Sequence, residues 1–261
     1  MSIETNALTF SYGSAPLLRG ITFAAQAGET VALLGPNGAG KSTFFRCMLG
    51  FLHPQSGEVR IDGRAIGEYS QKELARKIAY IPQSYSPAFD YTVRECVLMG
   101  MTAQLGTFDA PSRAEEEKAL RALESLGIAQ LAARPCARIS GGERQLMLLA
   151  RALVQDAQVL LMDEPTASLD YGNSCRVMQR VQALGRSGYT VIFSTHDPNQ
   201  ALRYAGRVLA MQDGRLLADG APETVMTGEL LSRLYGVRVR VERVCVDGRK
   251  IPVLLPDGEA M

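Results

Sequence analysis

The sequence predicts an α/β fold in which a parallel sheet buried on both faces is joined by an antiparallel β segment and interrupted by a helical lobe. Three observations predict it. Residues 30–34 and 159–162 (TVALL and VLLM) are unbroken apolar runs, as expected of strands covered on both sides. Strand-like and helix-like segments alternate before about residue 87 and after about residue 157. Between those points the β-branched runs disappear and helical spacing takes over.

The elements follow in order. Residues 3–12 and 21–27 read as short strands, separated by Gly13, Ser14 and Pro16. The buried strand 30–34 runs into a glycine-rich turn and then a helix over about 41–49. Residues 58–61 form another strand, turning at Asp62-Gly63. Ser70 and Glu73 have capping-box spacing and start a short helix, and strand 78–81 ends at Pro82. In the inserted lobe, 92–100 and 112–126 read as helices. The second opens with Ser112 and Glu115 and carries Leu120, Leu123 and Leu126 on one face. Strand 159–162, helix 173–185, strand 190–194 and helix 198–204 restore the alternation, and Pro198 suits a helix start. Residues 208–212 and 215–219 form a hairpin around Asp213-Gly214. Val237, Val239 and Val241 alternate with Arg238, Arg240 and Glu242, and Asp247-Gly248 turns toward 251–255, which predicts a terminal hairpin with one wet face.

The composition limits the function. The chain has 261 residues, 46% of them hydrophobic and 21% charged, with a formal net charge of +1. That is enough for a full core, and the charge balance gives no reason to expect a nucleic-acid partner. Cys47, Cys96, Cys136, Cys175 and Cys245 are scattered and make no CxxC pair, which predicts small apolar residues in a reducing compartment and neither a disulfide framework nor a zinc site. The first residues lack a basic stretch followed by an apolar run, so no signal peptide is predicted. The apolar runs fall short of the roughly 20 residues of a membrane helix. Any membrane role is expected to come through a partner.

Gly35-Pro36-Asn37-Gly38-Ala39-Gly40-Lys41-Ser42-Thr43 matches GxxxxGK[ST] between a buried strand and a helix, the context this motif requires. Its glycines let successive backbone N–H groups curl around phosphate oxygens, and the helix start adds partial positive charge. Lys41 is expected on the β- and γ-phosphates and the Ser42 hydroxyl on Mg²⁺. Strand 159–162 ends in Asp163-Glu164, at the end where open parallel sheets bind ligands. Asp163 would face the Mg²⁺, and Glu164, one residue on, would polarise an attacking water. Alone, each motif could be an ordinary glycine turn or a solvated acidic turn. Together they describe one site. Ser140-Gly141-Gly142-Glu143 is, in its plainest reading, a capping box opening an apolar helix. With its two glycines it is also a second anion-receptive helix start, which suggests service to a nucleotide bound on another copy of the chain.

This order of motifs resembles the ATP-binding cassette of ABC transporters. Residues 35–43 look like Walker A and 159–164 like Walker B. Ser140, Gly141 and Gly142 look like the LSGGQ signature, with Ile139 for Leu and Glu143 for Gln. Gln83 resembles the Q-loop glutamine, which implies a contact to Mg²⁺, sensing of the γ-phosphate and contact with the membrane partner. Ser168-Leu169-Asp170 resembles the D-loop, His196 the switch histidine, and Tyr12 the aromatic that stacks on adenine. The resemblance covers about residues 3–226. It implies a P-loop NTPase of the ABC ATPase type: a RecA-like core with its antiparallel β subdomain at 1–86 and 158–226, a helical subdomain at 87–157, and an extension with a β-hairpin at 227–261. It further implies ATP and Mg²⁺, catalytic roles for Lys41, Gln83, Glu164 and His196, an ATP-sandwich homodimer, and transmembrane permease subunits that hold the chain at the cytoplasmic face of the membrane.

The stretch 92–100 (TVRECVLMG) resembles the "TVRExVxxGR" segment of the importers for ferric siderophores, haem and cobalamin, with Met101 in place of Arg. Leu105-Gly106, the acidic helix 112–126 and Leu169–Asn173 fit the same subgroup, whose members also work with a substrate-binding protein. The alternatives are the ATPase of another ABC importer or exporter, or an ABC ATPase with no transport role. The non-transport class usually carries two cassettes or a long coiled-coil insert, and this chain shows neither, while the 92–109 stretch favours import over export.

Overall fold

The computed structural model describes residues 1–85, 89–104, 110–246 and 248–260. The chain begins with β1 (Ile3–Phe10), β2 (Leu18–Ala25), β3 (Thr30–Leu34) and α1 (Lys41–Met48). It continues through β4 (Ser56–Ile61), β5 (Arg64–Ala65), α2 (Gln71–Ala75) and β6 (Ile78–Ile81). Next come α3 (Val93–Leu98), α4 (Arg113–Ser125), α5 (Gly141–Val154) and β7 (Val159–Met162). The remainder is α6 (Tyr171–Arg186), β8 (Thr190–Thr195), α7 (Pro198–Tyr204), β9 (Arg207–Gln212), β10 (Arg215–Gly220), α8 (Pro222–Val225), α9 (Gly228–Tyr235), β11 (Val237–Val246) and β12 (Arg249–Ala260).

One sheet has the order β10-β9-β3-β8-β7-β6, and every pair in it is parallel except β9 with β10. Its apolar runs divide by parity. Val31, Leu33, Val159 and Leu161 enter the core shared with α1 and the antiparallel sheet. Ala32, Leu34, Leu160 and Met162 enter the core shared with α5 and α6. Both faces are therefore covered, which is why the strands read as continuous rather than alternating. The second sheet, β2-β1-β4-β5, is antiparallel throughout. Arg207 joins the two sheets: it forms a paired bond to Asp219 on β10 (2.6 and 2.8 Å) and donates to Ala24 O on β2 (2.9 Å).

The helical segment packs α3 and α4 against α5. Helix starts in this segment and at α2 are locally encoded. Ser70–Glu73, Thr92–Glu95 and Ser140–Glu143 form closed capping boxes, with Oγ accepting at 3.2–3.3 Å and the glutamate taking the cap N–H at 2.7–2.8 Å. Gly100 ends this run because its backbone lies on α5: a Cβ there would run into the Arg151 carbonyl. The expected helix 92–100 accordingly stops at Leu98 and tightens into a 3₁₀ turn at 99–101.

Several boundaries move. The first strand ends at Phe10 rather than residue 12, and the second begins at Leu18, three residues early, because Leu18 pairs with Phe10. The apolar helix expected after Ser140 starts at Gly141, where its capping box places it. The terminal hairpin forms, with Val239 and Val241 half-buried against the core and Val244, Ile251 and Leu255 exposed. It is preceded by α9, whose Leu231 and Leu234 are buried. Cys96 and Cys136, 40 positions apart in sequence, bring their sulfurs to 2.8 Å as free thiols, and burial pushes Cys136 up to about 12. Spacing along the chain concealed that pair. Leu105-Gly106, Asp247 and the expected boundary at residue 87 lie outside the described residues.

Candidate active site

The loop from β3 to α1 turns through two glycines in the left-handed region, Gly38 at φ +82° and Gly40 at φ +104°. At Gly35 any Cβ would collide with the Met211 carbonyl. The first N–H groups of α1 have no partners within the helix and face the loop. Lys41 is buried, and its Nζ donates to Gly35 O (2.8 Å) and Pro36 O (3.1 Å) and lies 3.3 Å from Glu164 Oε1. A cavity of about 440 Å³ opens here. Asn37, Gly38, Gly40, Lys41, Ser42 and Thr43 line it, together with Gln83 and Glu164 across from them. Ala39 is buried and packs into the core below the loop instead.

The acids arrive on β7. Asp163 is buried, and its Oδ1 accepts from Ser194 Oγ at 2.7 Å while Oδ2 is 3.4 Å from the Tyr80 hydroxyl. Burial, reinforced by the Asp163 charge, pushes the Tyr80 phenol up to about 12, so it is a donor. Glu164 sits at φ +43°, a left-handed conformation that costs a side-chain-bearing residue roughly 1–2 kcal/mol. Its carboxylate is met by Lys41 on Oε1, and on Oε2 by His196 Nδ1 at 3.2 Å and Gln83 Nε2 at 3.4 Å. A carboxylate only accepts, so His196 must carry its hydrogen on Nδ1 to make this bond. Strand geometry sets the pairing: Met162 lies opposite Phe193, so the residues that leave β7 and β8 emerge side by side.

The structure thus gathers Lys41, Ser42, Gln83, Asp163, Glu164 and His196, which lie far apart in sequence. Ser140, Gly141 and Gly142 are elsewhere. They open α5 beside the start of α6, where a Cβ on Gly142 would come within 2.8 Å of the Asn173 side chain and one on Gly141 within 3.2 Å of Leu169. The Ser140 amide and hydroxyl bond the Glu143 carboxyl and hold it below the usual glutamate range. Asp170 caps α6, accepting from Asn173 N at 2.8 Å, and that bond likewise lowers its carboxyl. Tyr12 is exposed beyond the cavity, edge-on to Phe10, with Arg46 3.4 Å from its hydroxyl. The sequence reading missed Ser194, Tyr80 and Tyr235, whose hydroxyl donates to His196 O at 2.9 Å. A serine ending the otherwise apolar run 191–193 was the one available signal.

A glycine-rich phosphate cradle, its buried lysine and a carboxylate aimed across the cavity define a P-loop nucleoside triphosphatase. A profile of the ABC transporter family matches residues 18–167, more than half of the chain. The chain is 35% identical over 252 residues to the ferric enterobactin transport ATP-binding protein FepC of Escherichia coli, covering 96% of this chain and 92% of that protein. It is 37% identical over 262 residues to the hemin import ATP-binding protein HmuV of Rhodopseudomonas palustris, covering 97% and 94%. A solved inward-facing metal-chelate type ABC transporter, described by its authors as putative, superimposes with a TM-score of 0.88 at 29% identity over 98% of this chain and 97% of that one. The chain belongs to the ABC transporter family, as an ATP-binding subunit whose enzymatic activity is ATP hydrolysis. Among the described residues no helix is long and apolar enough to cross a membrane.

Proposed function

We propose that this chain powers import of a metal chelate, of the ferric siderophore, haem or cobalamin class, through separate permease subunits at the cytoplasmic face of the membrane. The observation that carries the hydrolytic part is the convergence of Lys41, Gln83 and His196 on the Glu164 carboxylate at the cavity mouth. The importer class rests on near-full-length similarity to the ferric enterobactin and hemin proteins. Lys41 and the loop amides bind and orient the β- and γ-phosphates, and Tyr12 offers its exposed ring to adenine. The Ser42 hydroxyl, the Asp163 carboxylate and the Gln83 amide are an all-oxygen donor set that suits a hard divalent cation such as Mg²⁺, which, when bound, neutralises charge on the phosphates. Glu164 takes or orients a water proton, and His196 holds Glu164 and the γ-phosphate in line.

Gly142 and Glu143 line a different cavity from the P-loop, which fits service of this helix start to the nucleotide of a second copy. In that arrangement two copies pack head to tail, and each ATP joins one cradle to the other chain's signature, with Asp170 at the crossing. Differential affinity of ATP for the closed pair supplies the switch, and Gln83 with the helical lobe passes it to the permease. The test is co-purification of the permease subunits, reconstitution in liposomes, and ATP hydrolysis with a substrate-binding protein loaded in turn with a ferric siderophore, haem or cobalamin. Stimulation by one of the three supports the reading, and a complex stimulated only by an unrelated solute overturns it.

A further inference from the structure

We propose that Ser194 is a positioning residue for hydrolysis, a single buried hydroxyl that fixes the Asp163 carboxylate and the Glu164 backbone together. The inference rests on the reading of Glu164 as the residue that acts on water. Ser194 is fully buried, one residue before the end of β8, and follows Val191, Ile192 and Phe193. Its Oγ is 2.9 Å from the Glu164 nitrogen and 2.7 Å from Asp163 Oδ1. The directions are fixed by chemistry. An amide can only donate, so Oγ accepts from Glu164 N–H. Its own hydrogen then goes to the carboxylate, which can only accept. The hydroxyl's one hydrogen is thereby committed to Asp163 and one of its lone pairs to Glu164.

Each bond has a consequence. The bond to Asp163 orients the carboxylate plane and leaves Oδ2 to the Tyr80 hydroxyl, 3.4 Å away. The bond from Glu164 N–H pins the peptide plane between the two acids. That plane sets the direction in which the chain enters Glu164, the residue held at φ +43°. Lys41, His196 and Gln83 hold the far end of the same side chain. Ser194 holds the near end, and an apolar residue of similar size would leave a buried N–H and a buried carboxylate oxygen without it.

The test is steady-state ATP hydrolysis and nucleotide binding by the full chain carrying Ser194→Ala, Ser194→Thr or Ser194→Cys, with Glu164→Gln in parallel. Ser194→Ala is expected to lower kcat about tenfold or more while the Kd for ATP stays within about twofold. Ser194→Thr, which keeps the hydroxyl, is expected to restore most of the rate. If Ser194→Ala fails to fold, Ser194→Cys, similar in size but a poor hydrogen-bonding group, is expected to fold and show the same selective loss of kcat. Parental kcat in the alanine or cysteine variant, or a threonine variant as slow as alanine, overturns the inference. Parental hydrolysis by Glu164→Gln overturns instead the reading of Glu164 on which it stands.

Discussion

Glu164 combines an uncommon backbone conformation with three converging side chains, and Lys41 is the one of the three that also bonds the glycine-rich loop. Replacing Lys41 with Ala removes the cation from a buried position that faces both the loop carbonyls and the cavity. ATP affinity is expected to fall at least about tenfold, since hydrogen bonds to charged groups are worth roughly 1.5–3 kcal/mol. Calorimetric titration decides it, and parental affinity would remove Lys41 from the phosphate site. The contrast between Lys41 and Ser194 explains what the sequence revealed at this scale. The P-loop is contiguous, so its chemistry is written in nine successive residues. Ser194 meets Asp163 and Glu164 from about 30 positions away, and Tyr80 meets Asp163 from 83 positions away. Cross-strand neighbours of that kind leave no local spacing to read.

Among the elements, α3 and α5 meet where Gly100 lies against the Arg151 carbonyl. Gly100→Ala is expected to destabilise the chain by about 1–3 kcal/mol through overpacking, read as a lower Tm with the P-loop cavity unchanged. Helix α5 also carries a pH dependence. The Ser140 amide holds the Glu143 carboxyl below its ordinary value of 4.5. The capping contribution is therefore complete above that value and lost as the pH falls through the lower, folded one. Denaturation curves between about pH 4.5 and pH 3 are expected to show Glu143→Gln losing less stability than the parent. An equal loss in both would show that the carboxylate does not hold the cap. Capping boxes and both-face apolar strands were legible because their rules are local. The early start of β2 was not, because Leu18 is placed by its partner Phe10 rather than by its neighbours in sequence.

For the whole molecule, the C-terminal segment belongs to the core. Leu231 and Leu234 of α9 bury fully or nearly so in the larger apolar cluster, and Tyr235 reaches back to the His196 carbonyl. Ending the chain at residue 226 forfeits roughly 1.5–3 kcal/mol for each buried leucine. Truncation is expected to lower Tm by about 5–10 °C and to expose apolar surface, measured by thermal melting and by binding of a hydrophobic dye. An unchanged melting curve would mean that the segment is only an appendage. The amphipathic spacing of α9 went unread because its eight residues are short and its apolar face is defined by the core it meets.

The neighbouring placement of β7 and β8 has one more consequence. Glu164 and His196 follow the ends of two neighbouring strands whose register, Met162 opposite Phe193, sets how far apart the two side chains start. Sliding one rung moves a strand about 3.3 Å, as far as the whole gap between the two side chains. On the roles proposed for Glu164 and His196, a core substitution that loosens the β7–β8 seam is expected to register first as a slow enzyme and only later as an unstable one.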